Sequence, residues 1–194
     1  MKKKIMIIIT ISLILACGTR FYFVNKNVEK PNIQVYEKGI TVPVGKDFFE
    51  NSNEDMDGYT FKILDTSFMK AEDYFKNYHA DEKLNQMSEF YGYFYVVKVL
   101  IGNSGETSSD QKGIALVNCC LKGTTYILSF NEIAYQVANP NMPNSAFSLN
   151  PNTEKEIIIP FTVIPAYNSY KSLQKDPPKL QISLFPTQKL LELY

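Results

Sequence analysis

A chain of 194 residues with 45% hydrophobic content can fill one substantial core, so a single folded domain is expected. Lys+Arg and Asp+Glu are both 20, and no basic stripe follows Lys4, which excludes nucleic acid as an expected partner.

The N-terminus, MKKKIMIIITISLILAC, sets three lysines before an uncharged run from Ile5 to Ala16, the arrangement of an export signal. Lys2, Lys3 and Lys4 stay in the cytoplasm by the positive-inside rule, which places the chain beyond the apolar run outside. Two readings of Cys17 stay open. Ile5 to Ala16 makes about 18 Å of helix, too short for a hydrocarbon core of about 30 Å. On that reading ILAC followed by Gly18 resembles a lipobox and Cys17 is lipidated, although Leu15 stands where a small residue is usual. Extended to Val24, the segment reaches about 30 Å and spans as an uncleaved anchor. Arg20, about 6 Å from its outer end, then lies within snorkelling distance of the head groups, and Phe21, Tyr22 and Phe23 form an interfacial collar. The expected organisation is residues 1–24 as signal or anchor, 25–32 as tether and 33–194 as the folded domain.

Beyond the tether the apolar pattern is mostly of period 2. NIQVY and GITVPV read as strands around Gly39, and GYTFKILDTSFM turns Phe61 and Ile63 inward against Thr60 and Lys62. KAEDYFKNYHADEKLNQMSEFY reads as one inserted helix, with Tyr74, Phe75 and Tyr78 on its apolar side. YGYFYVVKVLIGN is apolar on both alternations, which predicts a central strand covered on both faces, and GNSG closes it as a turn. KGIALVNCCL and TTYILSFN follow as a hairpin about Lys122 and Gly123. ANPNMPNSAFSLNPN is too rich in Asn-Pro and Pro-Asn pairs for a helix interior or central strand. EKEIIIPFTVIP and KLQISLFP are the last two strands. About seven or eight short strands with turns between them predict an all-β sandwich with one inserted helix.

Three segments carry a resemblance. VVKVLIGNSG, LNPNTEKEIIIPFTVIP and LQISLFPTQKLLEL, together with VPVGKDFFENSNEDMDGYTFKILD, resemble an uncharacterised membrane-anchored family of Gram-positive bacteria. Its extracytoplasmic immunoglobulin-like domains fall within the superfamily of a secreted mycobacterial immunoprotective antigen. The resemblance covers most of residues 40–194 and implies an immunoglobulin-like sandwich of unknown function, with no catalytic residues.

Candidate chemistry is sparse. Asn53, Asp55, Asp57 and Gly58 fit the opening of a calcium loop, in which alternate oxygens converge on the ion. Position twelve needs a bidentate acid and holds Leu64, so an acidic turn that starts a strand competes with the calcium site. Adjacent strand residues Cys119 and Cys120 point to opposite faces, one into the core and one half exposed. His79 is the only histidine, and with so few thiols a zinc site lacks ligands. His79 with either cysteine or with a serine, or Glu132 with Glu154 or Glu156, are the pairs a hydrolase would need, and nothing in their spacing selects them. The Tyr and Phe clusters are expected either to seat the inserted helix on the sheet or to form a recognition patch. The function expected is a non-enzymatic module without cofactor, held at the cell membrane with its domain extracytoplasmic. It would bind another extracytoplasmic protein, a peptide or a wall component. A calcium-dependent adhesion-like module and a surface hydrolase are the alternatives.

Overall fold

The computed structural model describes residues 2–26, 30–50, 54–86, 88–105, 113–142, 144–167 and 170–194, and the chain divides into two units, 1–30 and 31–194. The first is a continuous helix, α1, Lys2–Lys26. Its 25 residues measure about 37 Å at 1.5 Å each, long and apolar enough to cross a membrane. The polar side chains along it turn their donors onto the helix itself. Thr10 donates to the Met6 carbonyl at 2.9 Å, Thr19 to that of Leu15, and the Asn25 amide to Phe21 at 2.8 Å. Such back-bonding is how hydroxyl and amide groups are satisfied where water is absent. The helix runs past Val24 to take in Asn25 and Lys26, which the sequence pattern assigns to the tether; residues 27–29 of that tether lie outside the described residues. Cys17 stands exposed on the helix surface, about two-thirds of the way along.

The second unit is built mostly from strands, with some helices. The strands are β1 (Asn32–Tyr36), β2 (Val42–Gly45), β3 (Met56–Lys70), β4 (Tyr93–Asn103), β5 (Ile114–Ala115), β6 (Cys120–Lys122), β7 (Ile127–Ser129), β8 (Ala146–Phe147), β9 (Thr153–Val163), β10 (Lys179–Gln181) and β11 (Thr187–Glu192). One sheet runs β2-β3-β4-β9, a second β1-β11-β10-β6-β7, and β5 pairs with β8 alone. All pairings are antiparallel except β1 with β11, which makes the second sheet mixed.

A single core joins the two large sheets. Val42, Phe61, Ile63, Val97, Val99 and Ile159 from the first meet Leu121, Leu128, Leu180 and Leu191 from the second. β4 is central as expected, between β3 and β9, and both its alternations are covered. Tyr95, Val97, Val99 and Ile101 enter that core, while Phe94 and Val96 face a separate helical cluster on the outer surface. β3 does not keep one alternation. A bulge between Ile63 and Asp65 inserts Leu64, so Tyr59, Phe61 and Ile63 point inward before it and Phe68 packs on the same core after it. An extra residue reverses the inward parity of everything beyond it.

The inserted helix is divided: α2 (Ala71–Asn77) is followed by α3 (Glu82–Gln86) and α4 (Ser88–Tyr91), with residue 87 outside the described residues. The break falls at Tyr78 and His79, the latter in the left-handed region at φ 55°, after which Asp81 restarts the helix by accepting the Leu84 N–H at 2.8 Å. Two further helices appear where none was expected, α5 (Glu132–Ala138) and α6 (Tyr170–Lys175). Asn131 caps α5, its side chain accepting the Ala134 N–H at 2.9 Å. α2 and α5 cover the outer face of β4 together: the buried Tyr74 hydroxyl donates to the Ala134 carbonyl at 2.9 Å, and Tyr74 and Phe75 lie 4.8 and 5.7 Å from Phe94, ring centre to ring centre.

β11 was also unforeseen as a strand, and it carries the one buried ion pair found among the described residues. Lys189 contacts Asp47 at 2.7 Å, and both side chains are only 10% exposed. Its ammonium also donates to the Pro43 and Val44 carbonyls at 2.8 and 2.9 Å, while the other Asp47 oxygen accepts the Thr187 N–H at 3.1 Å. Since Pro43 and Val44 belong to β2, this knot ties the edge of one sheet to β11 of the other. β1 lies one strand further out, and its residues from Asn32 to Val35 are exposed on both faces.

Candidate functional site: a cleft at the start of β3

The acidic stretch that begins β3 folds into turns before the strand sets in. Glu54 curls back so that its two carboxylate oxygens accept the Phe49 and Glu50 N–H groups at 2.9 and 2.8 Å. The Asp55 carbonyl accepts the Gly113 N–H at 3.3 Å, which brings the β5–β8 ribbon alongside. Between them lies an open cleft of about 390 Å³. Phe49, Met56, Ile114 and Phe147 supply its apolar wall, and Asp55 and Asn118 its polar one. These residues come from three separated segments, so no local signal in the sequence assembles them.

Of the candidate calcium ligands, Asn53 lies outside the described residues. Asp55 accepts the Asp57 N–H at 3.1 Å, and Asp57 that of Gly58 at the same distance, which are turn-forming bonds. Position twelve, Leu64, is the bulge residue of β3. Among the described residues no three His, Cys, Asp or Glu side chains gather as a metal site. Gly58 at φ 89° serves the turn and a close approach, since a Cβ there would sit 2.9 Å from the Gly105 backbone. The Gly58 carbonyl takes both the Ser104 N–H and hydroxyl, at 2.8 and 3.0 Å, and Asn103 spans from the Leu149 carbonyl to the Gly105 N–H. The GNSG motif thus clamps the end of β4 to the start of β3.

The remaining candidates are dispersed. Cys119 is buried in the core, and burial followed by its neighbour Cys120 pushes its thiol far up; Cys120 is half-buried and shifted the same way, chiefly by burial. Thiols so held stay protonated and are poor nucleophiles. His79 is exposed at the end of α2, on the opposite side of the β3–β4 sheet from Cys119, so the structure does not bring the two together. Glu132 accepts the Ser145 hydroxyl at 2.6 Å, Glu156 pairs with Lys98 at 2.5 Å, and Glu154 is exposed on β9. Most of the aromatic cluster seats α2 on β4. Tyr93 and Tyr95 instead face the core between the sheets, and Phe90 is 84% exposed on α4.

Residues 33–189 match the model of a protein family described as a domain of unknown function, DUF5028. No curated protein and no solved structure matches the chain.

Proposed function

The chain belongs to the DUF5028 family, and from that premise we propose that it is a membrane-anchored, extracytoplasmic binding module with no catalytic role of its own. The observation that carries this reading is α1, an apolar helix of spanning length that follows three lysines and leads into a separate strand-built unit. By the positive-inside rule the lysines remain cytoplasmic and residues 31–194 face outward. Two sheets about one core support an immunoglobulin-like sandwich, with α2 as an addition on its outer face. The cleft beside β3 is the binding place in this reading, an apolar side chain of an exported peptide or protein being matched to Phe49, Ile114 and Phe147.

Protease added to intact protoplasts tests the topology. Digestion of residues 31–194 from outside, leaving α1 in the membrane, is the expected result. Resistance that ends only when the membrane is permeabilised would overturn the reading. Labelling with a palmitate analogue, compared with Cys17→Ala, then distinguishes a lipidated Cys17 from an uncleaved spanning helix.

A further inference from the structure

β1 is a short edge strand whose own five residues carry none of the usual chemical deterrents to pairing. Natural edges carry lysines, prolines or bulges that discourage another strand from adding, yet Asn32 to Tyr36 has no charge, no proline and no irregularity in its register with β11. Asn32 to Val35 are exposed on both faces, only Tyr36 reaching the core, and Ile33 and Val35 are 59% and 49% exposed on the same side.

The direction of its backbone groups follows from the parallel ladder. The Asn32 N–H donates to the Pro186 carbonyl at 3.0 Å, so Asn32, Gln34 and Tyr36 turn their polar groups toward β11. Alternation then turns the N–H and C=O of Ile33 and Val35 to the open edge. Those four groups are self-complementary. When a second β1 approaches antiparallel about a two-fold axis at Gln34, Ile33 of one copy faces Val35 of the other. The two residues exchange both N–H···O bonds, and the second Ile33–Val35 pair does the same. Every open backbone group is met, the apolar side chains pair on one face, and Gln34 meets its own copy in the close, non-hydrogen-bonded position.

We propose that the partner of β1 is a second copy of this chain, joined through an isologous, antiparallel β1–β1 seam that continues the five-stranded sheet across a dimer. The seam depends only on β1 and its register with β11, so it stands or falls independently of the anchor and the cleft. Five residues make an interface of about 17 Å, short enough that the dimer is concentration-dependent.

Disulfide trapping tests it on the full chain in detergent micelles, in a Cys17→Ser background. At the two-fold, Gln34→Cys places two Cα atoms about 4.5 Å apart, within disulfide range. Asn32→Cys faces Tyr36 of the other copy and lies too far from its own counterpart to bridge. Under mild oxidant Gln34→Cys is expected to give a covalent dimer and Asn32→Cys to stay monomeric. Adding Val35→Lys to Gln34→Cys should lower the trapped fraction at least ten-fold while leaving the melting temperature unchanged, because the side chain is exposed. Gln34→Cys that remains monomeric, that dimerises no better than Asn32→Cys, or that is untouched by Val35→Lys overturns the proposal. So does quenching of a fluorophore at Gln34→Cys by spin-labelled lipid, which would assign the strand to a bilayer instead.

Discussion

Replacing Lys189 with methionine removes a buried ammonium while keeping most of its stem. Three contacts go at once: Asp47 at 2.7 Å and the Pro43 and Val44 carbonyls at 2.8 and 2.9 Å. The Asp47 carboxylate, 10% exposed, keeps its bond from the Thr187 N–H and loses its counter-charge. An orphaned charge at such a site costs about 3–5 kcal/mol. For a unit of residues 31–194, each kcal/mol moves the melting temperature by about 2–4 °C, so Lys189→Met should lower it by about 6–20 °C. Near-UV circular dichroism of the full chain follows this transition without interference from α1, whose two aromatic side-chain types are few. Adding Asp47→Asn supplies a neutral acceptor for the Thr187 N–H and should recover more than half of the loss. A single variant within 2 °C of the parent, on the scale of about 2–4 °C per kcal/mol, would refute the reasoning. So would a double variant that falls by the sum of the two singles, since it would mean the pair is not coupled.

The other expected outcomes are smaller. Gly58→Ala forces a side chain into a left-handed position against the Gly105 backbone and should cost about 1–3 kcal/mol, measured by urea titration. Tyr126 is pushed up to about 12, by burial first and then by Asp176 and Tyr194. The folded state therefore favours neutral tyrosine, so this contribution to stability is intact below pH 10, the ordinary tyrosine value, and is lost as pH rises from 10 toward 12. Tyr126→Phe should flatten part of that alkaline fall in melting temperature. Calcium should leave the melting temperature unchanged, because Asp55 and Asp57 are committed to turn bonds; a saturable rise would restore the metal reading. Cys119 and Cys120 should react with a thiol reagent only after denaturation, counted spectrophotometrically.

Features set by near neighbours in the chain were legible in the sequence. β4 declared itself central because both alternations are apolar, and the adjacency of Cys119 and Cys120 correctly put one thiol inside and left the other half-buried. The inserted helix reads as one because its charges run on through His79, whereas a left-handed turn there divides it. α5 escapes a sequence reading since seven residues before Asn139 and Pro140 carry too little periodicity against so strong a turn signal. β11 escapes it for the opposite reason: Thr187, Gln188 and Lys189 make a polar run after Pro186, and only Asp47, far earlier in the chain, makes that lysine an interior residue. The cleft was legible only in its acids, because its apolar wall is assembled from segments far apart in the chain.

The pairing of β1 with β11 also sets an order of events. Asn32 sits opposite Thr187, so the first strand of the domain to be synthesised waits for 155 more residues before its neighbour exists. Contacts of such long separation form late, and until then the nascent domain lacks two strands of its five-stranded sheet. β11 also brings Lys189 and its clasp on β2, so the domain closes only once this strand has been made. A chain cut short before Thr187 would keep its central β3–β4–β9 ladder and leave β1 without a neighbour, a ready substrate for proteolytic clearance.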